Sequence, residues 1–447
     1  MTTTNQHLYC SKSWGERQER FSFEGPLETP FQNRFGRKRK KRPFWADWKE
    51  SWEGGCYLDY MQHYHYDGEV PIRDWDIDGY RKSGRRYFRE TRQVEGREEV
   101  RMRLLGTGPR DLSPIEGTYY WDTLAADAMR VVEGLVREVE ERHGVNLQTW
   151  GEAWIMTIEK RNSWALDDDL FEESSRWRER LAKLFSGAWE CIRKAFKRKY
   201  PDVELAAVAG VDFSGEEAPW EPHYHLNFYV LPLGRTKDGR WVPLERWKEQ
   251  EVLAEVRKLW KEKLEKIFGH EIEGEVNIKR RYLKTEAQMR HFVRYLFRHP
   301  LEDFWKGFKG FSKVTELVTY LVNDKRQKRK VLIKVPGRTA LVALKRVRFV
   351  PKNWTRIRWF GFLSCGKRGR ILEPLGFSKT TVSDEGQNSG WVRGGVYEVV
   401  SYHEKYWVFR PVDISGPDII VPVDQIDLRP AGVIGKRTIW KPPGERQ

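Results

Sequence analysis

The strongest constraint on the fold is a regular alternation of short apolar runs and long amphipathic stretches between residues 150 and 300. Residues 153–159, 203–212, 221–233 and 274–283 have the length and composition of strands. The amphipathic stretches between and after them have helical spacing and span residues 167–200, 244–269 and 285–300. Because a short loop joins the second and third strands, they should form an antiparallel pair. This order predicts an α+β fold, an antiparallel sheet with helices on one face.

The same reading divides the chain into four parts. Residues 1–110 are polar and weakly periodic, which predicts a basic, largely irregular N-terminal arm. The run Arg37–Arg42 in this arm is a phosphate-binding element, a localisation signal or a solvated stretch. The α+β domain occupies residues 111–300 and begins with a helix near 118–143. A basic extension follows at 301–370, and residues 371–447 contain short alternating strands that predict a small β-barrel-like module.

The charge of the chain favours a polyanionic partner. The net charge is +16, and residues 321–370 carry sixteen Lys or Arg residues against Asp324 alone, a local charge of +15. Apolar alternation through this segment predicts that the charge lies on β structure. A phosphate-contacting surface is favoured over a merely solvated face. The predicted DNA-contacting residues are Arg346, Arg348, Lys352, Arg356 and Arg358.

Several classes of protein are disfavoured by what the sequence lacks. The four cysteines form no CxxC pair, so neither a disulfide framework nor a zinc ribbon is indicated, and a reducing cytoplasm is expected. No apolar stretch is long enough to span a membrane, and no signal peptide is apparent. A phosphate-binding loop of the GxxxxGK[ST] type is also missing, which argues against a nucleotide-driven motor.

The stretch EPHYHLNFYVLPL, residues 221–233, carries the first chemical signal. In a strand, alternate residues share a face, so the packing face is formed by Tyr224, Leu226, Phe228 and Val230. The polar face is formed by His223, His225, Asn227 and Tyr229.

Two imidazoles at this spacing can converge on one divalent cation, and a carboxylate would complete the ligand set. Asp212, at the end of the preceding strand, is the first choice, and Glu216, Glu217 and Glu221 are weaker ones. The alternative is an exposed strand that happens to carry two histidines. The same tripeptide occurs at His63–His65 without a strand context, where a zinc site with Cys56 is an alternative interpretation.

The second signal lies on the last predicted helix. Its apolar stripe consists of Met289, Phe292, Val293, Leu296 and Phe297. The opposite face carries His291, Arg294, Tyr295 and Arg298. Cations beside the phenol favour its ionised form and also neutralise a phosphodiester, so Tyr295 is the candidate nucleophile. The alternative is an ordinary surface tyrosine.

These motifs resemble those of the HUH endonucleases, the rolling-circle replication initiators and related tyrosine transposases. The His-hydrophobic-His motif corresponds to His223–His225, and WIMTIE with Thr157 resembles the family's first motif. HFVRYLFR resembles its Tyr-x-x-Lys helix, with arginine in place of lysine at Arg294 and Arg298. The resemblance covers about residues 150–365. It implies a ferredoxin-like core, Mg²⁺ or Mn²⁺ as cofactor, single-stranded DNA as substrate, and a 5′-phosphotyrosine intermediate. Tyr282 and Tyr320 are the reserve nucleophiles.

The leading functional hypothesis is a plasmid or viral replication initiator that nicks and religates its origin DNA, with a host helicase and polymerase as further partners. A transposase with the same chemistry is the close alternative. A nucleic-acid-binding protein with a decayed catalytic centre is another. An iron-dependent oxygenase triad formed by His223, His225 and Asp212 would explain neither the basic segment nor the helix tyrosine.

Overall fold

The computed structural model describes residues 61, 70–213, 223–245, 249–301, 338–351, 354–383 and 390–444, with four short strands between 315 and 336. The sequence interpretations of Arg37–Arg42, Cys56, His63–His65, Glu216, Glu217, Glu221 and Lys352 concern residues outside this part of the chain.

The described helices are α1 (Asp74–Lys82), α2 (Pro114–His143), α3 (Lys160–Glu172), α4 (Ser174–Lys197), α5 (Glu249–Phe268), α6 (Glu286–Leu296), α7 (Arg338–Phe349) and α8 (Arg368–Leu372). The strands up to residue 336 are β1 (Arg86–Val94), β2 (Arg97–Leu105), β3 (Glu152–Thr157), β4 (Val203–Asp212), β5 (His225–Thr236), β6 (Trp241–Pro243), β7 (Ile278–Tyr282), β8 (Thr315–Glu316), β9 (Thr319–Leu321), β10 (Lys328–Lys330) and β11 (Val335–Pro336). The remaining strands are β12 (Ile357–Gly361), β13 (Ser378–Ser383), β14 (Val392–Tyr402), β15 (Tyr406–Pro411), β16 (Ile419–Pro422), β17 (Ile426–Ala431) and β18 (Lys436–Lys441).

The central sheet is antiparallel, in the order β12-β4-β5-β3-β7, and β6 pairs with β5. The predicted antiparallel pairing of β4 with β5 is therefore confirmed, and the fold is α+β. The single helix expected at 167–200 is instead the pair α3 and α4. The edge strand β12 comes from beyond residue 300. The predicted domain boundary at residue 300 is therefore wrong, because it would separate β12 from the rest of the sheet.

Helices cover both faces of this sheet, so the expectation of one covered face is wrong. On one face, Leu226 and Phe228 pack with Trp177 of α4 and Trp260 of α5. On the other face, Tyr229 packs in a second cluster with residues of α2 and α6. The apolar positions of α2 and α6 need burial as much as those of α4 do, and the histidine-bearing face is the surface left for them.

Helix α6 shows how local sequence places the residues that follow it. Thr285 caps its start, since the side-chain oxygen accepts a hydrogen bond from Gln288 N at 3.2 Å. The predicted apolar stripe is buried along Met289, Phe292 and Leu296. The helix ends at Leu296, earlier than the stop expected at Pro300, which leaves Arg298 outside the helix.

The predicted N-terminal arm is partly wrong. Helix α1 and the hairpin β1–β2 are regular structure, and they lie within residues 70–110. Strands β1 and β2 belong to a six-stranded sheet with the order β16-β15-β14-β1-β2-β17. Strands β14 to β17 therefore share a sheet with the N-terminal hairpin, while β13 pairs with β18, so the residues from 371 onward do not form a separate module.

The basic segment is not all β structure either. Residues 338–349 form α7, with Leu344 and Val347 buried in the core shared with α4 and α5. Leu344 and Val347 are three positions apart and therefore lie on one face of the helix. The apolar pattern that predicted strands is thus also compatible with a helix. In the described part of the chain, no helix combines the length and apolarity that crossing a membrane requires.

Candidate active site

Polar residues lie in one row across the end of three neighbouring strands. Asp212 on β4 is paired with His225 on β5, and His225 is paired with Thr157 on β3. Residues directly opposite each other in an antiparallel sheet project from the same face. The row therefore places a carboxylate and an imidazole side by side, although the hairpin was expected to bring Asp212 beside His223 and its register pairs Asp212 with His225.

The two histidines converge, as their spacing predicts. The Nε2 atoms of His223 and His225 are 2.7 Å apart, and the ring centroids are 4.5 Å apart. At this distance one ring donates an N–H hydrogen bond to the other. Burial lowers the pKa of His225 to about 3, with Asp212 opposing the shift and His223 and Lys279 adding to it. A neutral imidazole is the form that binds a metal ion.

Helix α6 brings the tyrosine to the same place. Tyr295 Oη donates a hydrogen bond to Asp212 Oδ2 at 3.1 Å, and the Arg298 guanidinium donates to the same oxygen. The guanidinium carbon of Arg298 is 4.3 Å from the centre of the Tyr295 ring. The phenol, the carboxylate and the imidazole pair thus lie on one face of the sheet.

This geometry changes the expected role of Asp212. The carboxylate was predicted to complete a metal site, but in the structure it is hydrogen-bonded to Tyr295 and Arg298. Within the described residues, no group of three His, Cys, Asp or Glu side chains is arranged to hold a metal ion. Asp212 is therefore placed to accept the proton of the phenol.

The residues on this face nevertheless suit a divalent cation. His223 and His225 supply two nitrogen donors, and Asn227 follows His225 on the same side of β5. The Asn227 side chain is buried, and among the described residues its Oδ1 atom has no hydrogen-bond partner. Burying an amide oxygen without a hydrogen bond costs folding free energy. The same oxygen is a suitable ligand atom for Mg²⁺ and Mn²⁺. His223, His225 and Asn227 are the residues that would hold such a cation.

Gly210 permits the close approach of α6 to this face. A Cβ atom at Gly210 would lie 3.0 Å from the backbone oxygen of Leu296 and 2.9 Å from Ile357 Cδ1. Leu296 directly follows Tyr295, so the backbone that carries the phenol rests on the glycine. A glycine inside a strand commonly marks such a contact.

We expect Gly210→Val to displace α6 and to separate Tyr295 from Asp212. Overpacking of this kind costs about 1–3 kcal/mol of unfolding free energy, measurable by urea denaturation. The matched control is Gly187→Ala in α4, where the nearest atom to a new Cβ is 3.7 Å away. That control should be neutral or slightly stabilising. Equal stability of the valine variant and the parent would contradict the packing argument.

Arg356 links the end of β4 to the turn after α6. Its side chain is buried, with Nε donating to Val211 O at 2.7 Å and Nη1 donating to Arg298 O. Val211 precedes Asp212, so both hydrogen bonds hold the backbone on either side of the Asp212–Arg298 contact. Arg356 is therefore a positioning residue, and the expectation that it contacts DNA is wrong.

Arg346 has a comparable position on the other side of the sheet. It is fully buried, and its guanidinium binds both carboxylate oxygens of Asp167 at 2.7 Å. It also donates to Phe213 O and lies 4.2 Å from the Tyr224 ring centre. Phe213 follows Asp212 and Tyr224 separates the two histidines, so Arg346 supports both strand ends. It cannot reach a phosphate, which corrects the predicted DNA contact.

We expect Arg346→Met to cost about 3–5 kcal/mol of unfolding free energy because it leaves the buried Asp167 carboxylate without its cation. The double variant Arg346→Met/Asp167→Asn should recover part of this loss. Arg410→Met, which removes an exposed pair with Asp418, is the control and should leave the melting temperature nearly unchanged. If Arg346→Met is as stable as this control and instead weakens DNA binding, the surface role is correct after all.

The remaining predicted DNA contacts are only partly accessible. Arg348 is paired with Asp76 and Asp111, at 2.7 and 2.6 Å, so its charge is already neutralised. Arg358 is half-buried with its guanidinium 5.0 Å from the Phe185 ring centre, and burial lowers its pKa. The formal charge of the segment thus overstates the charge that it offers to a phosphate.

Exposed cations lie elsewhere on the site's own face. Lys279 of β7 is exposed and shares a row with Ile155 of β3, which is in turn paired with Asn227 of β5. Arg281, two residues on, is exposed on the same side of the edge strand. No local pattern singles these two residues out, since their strand is predicted only from its length and composition.

The other predicted catalytic residues and the reserve nucleophiles are placed as follows. His291 is exposed on α6 one turn before Tyr295, and Arg294 is half-buried. Tyr282 is buried and accepts a hydrogen bond from Arg280 at 2.8 Å. It is paired with Glu152 on the face opposite the histidines, which excludes it as their partner. The Tyr320 side chain lies outside the described part of the chain.

Comparisons with family models, with curated proteins and with solved structures found no match to the chain. Its function must therefore be argued from the geometry of the site.

Proposed function

We propose that the chain is a divalent-metal-dependent nuclease and strand transferase of the HUH type, which cuts single-stranded DNA through Tyr295. One observation carries this proposal. The Tyr295 hydroxyl is 3.1 Å from Asp212 Oδ2, and Asp212 is paired across the sheet with His225 of the imidazole pair. A nucleophile, a proton acceptor and a metal-ligating pair are thus held together by packed elements of the fold.

In the proposed reaction, Tyr295 Oη attacks the phosphorus atom of a phosphodiester and its proton passes to Asp212 Oδ2. The new Oη–P bond replaces the bond from phosphorus to the 3′ oxygen, which leaves as a free 3′-hydroxyl after protonation. The 5′ end of the cut strand remains attached to the tyrosine. Attack by a 3′-hydroxyl on this ester reverses the step and joins the strands.

The neighbouring residues support this step electrostatically. The Arg298 guanidinium, 4.3 Å from the centre of the Tyr295 ring, would stabilise the negative charge that develops on the phosphate oxygens during attack. A divalent cation bound by His223 and His225 would polarise a non-bridging phosphate oxygen. Lys279 and Arg281 are placed to attract the backbone of the strand to this face.

The biological role that we propose is initiation of replication at a plasmid or viral origin, with host helicase and polymerase acting after the nick. A transposase would use the same chemistry on a different DNA target. Joining of the cut end to its own strand favours an initiator, whereas joining to a second, unrelated DNA favours a transposase.

A catalytically decayed DNA-binding protein is the second candidate function. The observation that favours it is that, among the described residues, no carboxylate or third His or Cys joins His223 and His225 in a group that could hold a metal ion. It predicts binding of single-stranded DNA without a covalent product.

The test is incubation of the full chain with end-labelled single-stranded oligonucleotides and Mn²⁺, followed by denaturing electrophoresis. We expect a protein–DNA adduct that survives denaturation and a released fragment with a 3′-hydroxyl. Chelation with EDTA should abolish the adduct, and added Mn²⁺ should restore it. Tight binding with no adduct on oligonucleotides that contain the cognate sequence would support the decayed protein and reject the nuclease.

A further inference from the structure

The first turn of α3 lies beside the strand that carries the histidines. Ile158 N donates to Tyr224 O at 2.9 Å, and Tyr224 N donates to Ser163 Oγ at 3.2 Å. Tyr224 is the residue between His223 and His225. These two hydrogen bonds fix the entry to α3 at the end of the sheet where the candidate active site is found, on the face opposite the histidines.

This turn presents an aromatic ring and two cations to solvent. Trp164 is 53% exposed although indole is among the most favourable side chains to bury. The Lys160 ammonium lies 4.8 Å from the Trp164 ring centre, and Arg161 beside it is also exposed. Asn162 and Ser163 point inward and are buried, so the turn has a packed side and a separate solvent side.

The packing of α3 does not account for this arrangement. The helix is held to the core by Leu166 and Leu170, which are buried with the residues of α4 and α5. Trp164 projects away from that core. An exposed aromatic ring next to cations is the combination that single-stranded nucleic acids bind, because every base has a stacking face and every nucleotide a phosphate.

We propose that Trp164 is a stacking platform for an unpaired base of the DNA strand that enters the candidate active site, with Lys160 and Arg161 contacting its phosphates. Because α3 packs on the face of the sheet opposite the histidines, the stacked base would lie around the end of the sheet from the cut phosphate, and this placement rests on the proposed function. The binding of an unpaired base does not, since it requires neither the metal nor Tyr295.

The experiment measures binding of fluorescein-labelled oligonucleotides to the full chain by anisotropy, without divalent metal so that no cleavage occurs. Trp164→Ala should weaken binding of single-stranded DNA about tenfold, and Trp164→Phe should restore most of the affinity. The matched control is Trp75→Ala in α1. Trp75 is 57% exposed and lies 5.8 Å from the Arg73 guanidinium carbon, and its removal should have little effect. Blunt duplex DNA should bind the parent and the Trp164 variant equally.

Scanning the oligonucleotide with single abasic residues locates the stacked base. At one position, removal of the base should weaken binding to the parent and leave binding to Trp164→Ala unchanged. The proposal is overturned if Trp164→Ala loses no more affinity than Trp75→Ala, if duplex DNA is affected equally, or if no position shows this dependence. An adduct-forming parent with an unaffected Trp164 variant rejects the platform alone. A Trp164-dependent binder that forms no adduct rejects the nuclease alone.

Discussion

Tyr295→Phe should abolish the covalent protein–DNA adduct. The substitution removes one oxygen atom, the proposed nucleophile, and keeps the ring that packs against Phe292 with centroids 6.0 Å apart. The fold and DNA binding should therefore be preserved while the adduct falls by at least about a thousandfold, as for loss of other catalytic nucleophiles. Quantitative denaturing electrophoresis of the labelled adduct measures this effect.

The matched control for this prediction is Tyr282→Phe. Tyr282 also loses one hydroxyl, but it lies on the opposite face of the sheet, where it contacts Arg280. This variant should form as much adduct as the parent. If instead Tyr295→Phe keeps its adduct, peptide mapping of the attached nucleotide would identify another tyrosine, and the assignment of Tyr295 would be wrong.

The double variant His223→Ala/His225→Ala should lose the Mn²⁺-dependent reaction. A metal ion that polarises the phosphate contributes several kcal/mol to transition-state stabilisation, so we expect a decrease of about a hundredfold or more. Binding of Mn²⁺ to the protein without DNA should also be lost, as measured by electron paramagnetic resonance. We expect both effects because the same two imidazoles, whose Nε2 atoms are 2.7 Å apart, would bind the metal ion.

His403→Ala is the control for the histidine variant. His403 is exposed near the turn between β14 and β15, where it stacks on Tyr406 with centroids 4.5 Å apart. The control should bind Mn²⁺ and form the adduct as the parent does. Unchanged metal dependence in the His223/His225 double variant would place the cation elsewhere and would reject the role proposed for this pair.

Much of the central sheet and of the site was predictable from local patterns. Strands β3, β4, β5 and β7 lie within a few residues of the predicted runs, and alternation correctly separated His223 and His225 from Tyr224 and Leu226. The helical stripe of α6 placed Tyr295 apart from the buried positions. These features depend on the repeat of side-chain direction along one element, which the sequence carries directly.

The misassigned arginines show where such reasoning fails. Arg346 and Arg356 are cations in a basic segment, and nothing in their neighbours along the chain distinguishes them from surface residues. Their partners Asp167 and Val211 are 179 and 145 residues away. Whether an arginine is solvated or buried against a distant carboxylate depends on which elements pack together, and local periodicity does not encode that.

By itself, the sequence determined the sheet-forming runs, the face shared by the imidazole pair and the helix that carries the phenol. Only the tertiary structure decided that both faces of the sheet are covered, that the first hairpin joins the last strands, and that Asp212 contacts Tyr295 and Arg298. It also showed that α6 ends early enough for Arg298 to turn toward that carboxylate. The physical reason is the distance along the chain over which each effect acts. Side-chain alternation follows from backbone geometry over a few residues, whereas burial and hydrogen bonding between distant elements follow from the packing of the whole chain.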